Sequence, residues 1–381
     1  MWVKHAVLGG GTDMSVTFRE FGKTSDGRPI QLAELGSGSV KVEILNYGGI
    51  IRSMVVPSLR MEEFAVDIVL GYDTVAEYEK NNDFMGAVVG RFANRIGGAA
   101  FPLNGETVHI TANENGNCLH SGAHGFQNTL FDMYETPDVS DDSVTLTATS
   151  SAGTDGFPGN VTLTLRYTLL NYGLANHRLV IDYHAETDTP TVCNLTNHSY
   201  FNLNGYYSGS VLDHLVTVDA DQYLETDAQS IPTGRLLPVA GTPMDFTTEK
   251  PLGRDIDADF QTLKDCRGYD HCYVIRGEGL RRAAYIRSHE SLVSLEVLTT
   301  QPAMHLYSGN NLASVTPRKH GVHPYGLGYD PLRPYVARDA LCLETEGFPD
   351  APNHPNFPST LLLPGKPYDA QTVYKVGFYE S

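Results

Sequence analysis

Residues 191–205 read T-V-C-N-L-T-N-H-S-Y-F-N-L-N-G, and the rest of the chain is organised around them. Apolar and polar positions alternate, with Val192, Leu195, His198, Phe201 and Leu203 interleaved with Asn194, Asn197, Asn202 and Asn204. A period of two predicts a half-buried strand whose mouth carries hydrogen-bonding side chains. His198 sits in the middle, flanked by Asn197, Ser199 and Tyr200. Amide and hydroxyl neighbours of this kind can hold an imidazole in one tautomer and aim it at a ligand. Taken alone, the same residue reads equally well as a surface histidine on a polar strand.

On either side, the same period recurs. Residues 144–150, 161–169 and 179–187 are β-branched, alternating, and separated by turn residues, which makes them the plainest strands. Residues 30–35 and 40–45 alternate likewise, and the Gly48-Gly49 pair after them predicts a bulge or a close backbone approach. Asn104-Gly105 predicts a hairpin within 101–110. Further strands are expected at 68–73, 211–224, 283–287, 292–300, 304–308 and 373–379, with a helical turn or two at 75–82 and a loop at 227–238. Residues 317–334, rich in proline, glycine and histidine, predict a long loop acting as a lid or insertion. No helix of ordinary length, linker, charge block or repeat interrupts this pattern. The expected fold is all-β, a large antiparallel β-sandwich with few short helices, in a single domain spanning residues 1–381.

Composition narrows the partners. The 381 residues are 41% hydrophobic, enough for a large core, and 45 acidic against 27 basic residues give a net charge of -18. Nucleic acid and anionic membrane both need a basic face, so neither is expected as a partner. Cys118, Cys193, Cys266, Cys272 and Cys342 show no metal or disulfide spacing, which reads as reduced thiols and a cytoplasmic location. The apolar run at residues 6–8 is too short for a signal peptide.

Chemistry-bearing residues fall at strand ends and in loops. Residues 86–101 are glycine-rich and apolar yet carry Arg91 and Arg95, which need partners because a guanidinium keeps its charge. The loop 113–125 holds His120 and His124; its glycines oppose a helix that would make the two a metal pair. Asp270 and His271 open a strand, and Gln301 ends another. Glu344 and Glu346 share one face of the strand at 341–346, with Leu343 on the other. Neighbouring carboxylates resist joint ionisation, which suits acid–base work. No Walker loop, G-x-S-x-G, H-E-x-x-H or dinucleotide fingerprint occurs, so no cofactor and no metal are expected. A set of this kind (Arg95, His120, His198, Asp270, Gln301, Glu344) suits a neutral polyhydroxylated ligand.

Six motifs in one order carry a resemblance. They are G-R-F-A-N-R-I at 90–96, N-C-L-H-S-G at 117–122, N-L-T-N-H-S-Y-F-N-L at 194–203, G-Y-D-H at 268–271, Q-P at 301–302 and C-L-E-T-E-G-F-P-D-A-P-N at 342–353. With them the chain, from about 21 to 378, resembles the aldose 1-epimerases, the galactose mutarotases. The resemblance implies a mutarotase-like supersandwich, an isomerase that interconverts α and β anomers of free aldoses such as galactose and glucose, and no cofactor. It implies Glu344 as general base, His198 as general acid and His120 as a supporting histidine. It also implies Asn94, Arg95, Asp270, Gln301 and Tyr200 as the sugar-binding set. Two departures stand out: Glu346 replaces an amide found in many relatives, and 317–334 is long. A hexose-6-phosphate epimerase and a non-catalytic sugar sensor are the rival readings; the first needs a cluster of cations and the second the loss of His198 or Glu344. The expected partner is a small sugar, and the expected state a monomer or homodimer.

Overall fold

The computed structural model describes residues 16–36, 40–58, 61–80, 83–137, 139, 141–172, 176–313, 318–319 and 333–379. The alternating segments form the strands their period predicts. Asp142–Ser150, Val161–Asn171 and His177–Thr187 are consecutive antiparallel neighbours in a nine-stranded sheet. The closing strand Tyr368–Phe378 joins His177–Thr187 to Val293–Thr299 in that sheet. A six-stranded sheet runs in the order Tyr200–Phe201, Leu341–Glu346, Ala303–Tyr307, Asp270–Ile275, Ala220–Thr226 and Pro232–Pro238. The first five strands, from Thr17–Lys23 to Met61–Asp67, form a third sheet.

One continuous core joins the three sheets. It takes Val42 and Met54 from the third sheet, Leu165, Ile181 and Val297 from the nine-stranded one, and Tyr273, Leu306 and Leu343 from the six-stranded one. A fully buried side chain of this size contributes about 1.5–3 kcal/mol, so this layer dominates stability. Among the described residues, α-helix is confined to Val75–Tyr78, started by a Thr74–Glu77 capping box, and Gln261–Cys266. None of their helices is long and apolar enough to cross a membrane.

Three expectations change. Residues 191–205 are not one half-buried strand but three two-residue pieces, Thr191–Val192, Thr196–Asn197 and Tyr200–Phe201, each in a different sheet. Every residue from 191 to 203 is buried, so the interleaved asparagines act as internal tethers: the Asn194 Oδ1 atom accepts from Gly347 N at 2.7 Å and Asn202 Nδ2 donates to Asp339 O at 2.8 Å. The strand expected at 68–73 is only an extended segment bridging Phe201 through Val69. The loop expected at 227–238 contains the strand Pro232–Pro238, which tolerates its prolines because it is a sheet edge. The loop read at 317–334 lies outside the described residues except for 318, 319, 333 and 334, as do residues 1–14. The Asn104-Gly105 hairpin forms as expected; Gly48-Gly49 is a turn with positive φ at both glycines, and the expected close backbone approach is there, since a Cβ on Gly48 would stand 2.6 Å from Gln127 O.

Candidate active site

Strand register assembles the site. Cys272, His305 and Glu344 are directly opposed on three neighbouring strands; Asp270, Tyr307 and Cys342 form the next row, and Val274, Ala303 and Glu346 the row on the other side. These three rows share one face of the sheet. The intervening residues Tyr273, Met304, Leu306, Leu341 and Leu343 enter the core. His305 is thus diagonal to both Asp270 and Glu346. Its Nε2 lies 2.6 Å from Asp270 Oδ1 and its Nδ1 3.7 Å from Glu346 Oε1.

His198 hangs over this floor. Its backbone is held from both sides: its N–H donates to Ala87 O at 2.8 Å and its carbonyl accepts from Gly86 N at 2.9 Å. Its Nε2 then stands 3.7 Å from Glu344 Oε1. His198 Nδ1 lies 3.6 Å from Cys342 Sγ. The loop 113–125 delivers His120 through a reciprocal clasp: His120 N–H donates to Asn94 O at 3.0 Å, and Asn94 N–H donates to His120 Nδ1 at 3.1 Å. Both residues have positive φ, +65° for Asn94 and +50° for His120, so the clasp fixes a conformation that side chains otherwise avoid. The His120 ring lies 5.6 Å from that of His198 and 4.6 Å from that of Phe84. Arg95 grips Glu114 with a two-bond fork, Nε to Oε2 at 2.6 Å and Nη2 to Oε1 at 3.1 Å.

A cavity of about 190 Å³ opens among these groups, lined by Asn94, Arg95, His120, His198, Tyr200, Asp270 and Glu344. It is well below the roughly 300–1,000 Å³ of sites for drug-sized ligands. Among the described residues its wall is mostly polar, with one cation, Arg95, and the carboxylates of Asp83, Glu114, Asp270 and Glu344. Such a wall offers paired acceptors to hydroxyl groups, while Tyr307 and Phe84 supply aromatic surface.

Burial governs the protonation. It pushes His198 down to about 4 and His120 well below the usual range, with neighbouring imidazoles adding to the effect. The interaction of His198 with its own backbone opposes this. Burial pushes Glu344 well above the usual carboxylate range; Glu346 and Asp270 push further, and Arg95 opposes them. In the dry site the shifts therefore favour the proton of the pair on Glu344. Asp270 goes the other way: His305 and Arg95 together outweigh its burial and hold it well below the usual range.

The sequence-derived residues converge, with one exception. The structure puts Gln301 outside this cavity: its side-chain amide donates to the Tyr368 hydroxyl, and its backbone N–H donates to Thr299 Oγ1 at 2.9 Å. There it lines a separate groove of about 520 Å³ with Cys193, Asn194 and Lys366. His305 lines the cavity instead. The parity of 303–307 marks His305 as facing away from Met304 and Leu306, but which strands flank it is set by long-range pairing. Phe84 and Glu114 were also missed, having no periodic signal. Arg91 finds the partners its charge needs in the carbonyls of Ser150, Ser151 and Pro158. His124 lies outside the cavity, half-paired with Asp155 at 3.3 Å.

Known proteins agree with this architecture. The sequence pattern of the family described as Aldose 1-epimerase matches residues 31–375. Human galactose mutarotase is 36% identical over 364 residues, 95% of this chain and 98% of that protein. Escherichia coli (strain K12) aldose 1-epimerase is 34% identical over 92% of this chain and 96% of its own length. Among solved structures, a GalM/aldose epimerase homologue from C. elegans superposes with a TM-score of 0.79 at 27% identity, covering 96% of this chain and 100% of its own. The galactose 1-epimerase of Lactobacillus acidophilus gives 0.80 at 24% identity, over 97% and 100%. On the family pattern and the near-complete coverage of both curated relatives, the chain belongs to the aldose 1-epimerase family.

Proposed function

We propose that the protein is a mutarotase that interconverts the α and β anomers of free aldohexoses such as galactose and glucose. The observation that carries the reading is the approach of His198 Nε2 to Glu344 Oε1, 3.7 Å apart beside a small polar cavity. Two groups so placed reach the C1 hydroxyl and the ring oxygen of one pyranose. Glu344 takes the proton of the C1 hydroxyl as His198 gives one to the ring oxygen; the C1–O5 bond breaks and a carbonyl forms at C1. Rotation about C1–C2 presents the other carbonyl face. Closure reverses each transfer: Glu344 returns its proton to the C1 oxygen, and His198 takes the O5 proton as the C1–O5 bond re-forms.

The shifts suit this cycle. After ring opening, the proton sits on Glu344 and His198 is neutral, the distribution that the dry site prefers. The cyclic sugar needs the alternative distribution, one proton shift away. His120 sits close enough to hydrogen-bond near the reacting centre, and Asn94, Arg95, Asp270 and Tyr200 supply the hydroxyl contacts. General acid–base catalysis of this type contributes about 10²- to 10⁴-fold.

A 6-phosphorylated sugar fits less well. Among the described residues Arg95 is the one cationic side chain on the wall, Glu114 already occupies its fork, and four carboxylates would face the phosphate. The shared core supports reading residues 1–381 as one domain, and five buried thiols support a reducing, cytoplasmic setting. The test is polarimetry on freshly dissolved α-D-galactose and α-D-glucose. The protein should speed decay to an unchanged final rotation, and Glu344→Gln and His198→Asn should each lose about 10²-fold or more with unaltered circular dichroism. Near-normal turnover in either folded variant refutes the assigned pair.

A further inference from the structure

We propose that Cys272, His305 and Glu346 bind a divalent metal ion of the zinc type, behind the cavity floor. Their ligand atoms, one thiol, one ring nitrogen and one carboxylate oxygen, all lie within 4.8 Å of one another. Register explains the convergence. Cys272 and His305 are opposed across one ladder; Glu346 is opposed to Ala303 in the adjoining row, where the methyl side chain leaves room above it. All three residues are buried.

Two further observations point to a cation. Asp270 Oδ1, 2.6 Å from Nε2, accepts a hydrogen bond on that side of His305, so Nδ1 presents its lone pair to Asn94 and, 3.7 Å away, to the side of Glu346. A histidine backed by a carboxylate, with its other nitrogen free to coordinate, is the recurring arrangement at metal centres. Glu346 Oε2 is buried and has no hydrogen-bond partner, a costly state for a carboxylate. Burial pushes both the Cys272 thiol and the Glu346 carboxyl up; a divalent ion bound there displaces their protons and balances the two negative charges left behind.

The fit needs small movements. Tetrahedral zinc with bonds of about 2.0 Å to nitrogen and oxygen holds them roughly 3.3 Å apart, against 3.7 Å here. Asn94 Nδ2 now donates to His305 Nδ1 at 3.1 Å and to Glu346 Oε1 at 3.2 Å. Turning that amide presents its oxygen as a fourth ligand. A cysteine in the donor set favours zinc or cobalt over magnesium or calcium.

The test uses the full chain and does not depend on turnover. Protein stripped by chelator and dialysis is titrated with zinc, and in parallel with cobalt, followed by desalting, metal analysis and absorption spectroscopy. One equivalent of zinc should survive desalting, and cobalt should produce a thiolate charge-transfer band. Cys272→Ser and Glu346→Gln should lose the band, while Glu344→Gln should keep it. A folded wild type that retains no zinc, or binds cobalt without a thiolate band, overturns the proposal even where a variant fails to fold. So does a band that persists in Cys272→Ser, which would assign the ion to another cysteine.

Discussion

Protonating His214 should unfasten the segment that carries His198. His214 is buried, and its Nε2 accepts the Leu203 N–H at 2.9 Å. A proton on Nε2 breaks that bond and leaves a charge out of water; burial holds the group down at about 4 against 6.5 for an unperturbed histidine. Because the folded value is depressed, the unfolded chain binds more protons between those two values. The contribution is therefore complete above about pH 6.5 and is lost as pH falls through that window towards 4. At about 1.4 kcal/mol per unit, the full effect is roughly 3 kcal/mol, and moving from pH 7 to pH 5 removes about 2 kcal/mol. In His214→Gln, the amide oxygen keeps accepting the Leu203 N–H but does not titrate. Urea unfolding followed by circular dichroism at both pH values gives the comparison, and the other histidines cancel in the difference. The wild type should lose about 2 kcal/mol more than the variant on acidification; equal losses would refute the argument.

Three other perturbations have defined outcomes. Arg95→Lys exchanges a planar fork on Glu114 for a single point of contact, so KM for galactose should rise about tenfold with a smaller change in kcat, read from polarimetric initial rates. Gly268 has φ +139°, and a Cβ there would stand 2.3 Å from Asn310 Oδ1; Gly268→Ala should destabilise by about 2 kcal/mol or more in urea unfolding. Arg318 and Asp339 form a buried ion pair at 2.5 Å, and Arg318→Leu strands the carboxylate, so a loss of about 3 kcal/mol is expected from thermal or urea melts, with the Arg333 contact to Asp339 easing part of it.

Much of this architecture was legible because strands written with a period of two declare their two faces. The runs at 144–150, 161–169 and 179–187 needed no other information, and the parity of Glu344, Glu346 and Leu343 was correct. Pairing is what sequence conceals. Gln301 looked like a site residue because it adjoins a strand end, yet its amide turns to Tyr368, and His305 four positions later occupies the cavity. The 191–205 stretch misled for a related reason. Alternation normally separates core from solvent, but here neighbouring elements cover both sides, and the polar residues are spent on backbone groups such as Gly347 N and Asp339 O. Pro232–Pro238 was hidden by its own prolines and by Gly234, with φ +87°.

The alternation of Leu341–Glu346 works like a reading frame. Leu341 and Leu343 belong to the core, and Cys342, Glu344 and Glu346 to the opposite face. One residue inserted ahead of Leu343 would exchange the two sets, driving a carboxylate into the hydrocarbon layer and a leucine into the polar cavity. Length changes along this strand are therefore tolerated only in steps of two or where a bulge absorbs the extra residue. Drift in chain length among descendants of this protein should accumulate in the connecting loops, and the interval from Leu341 to Glu346 should keep its count.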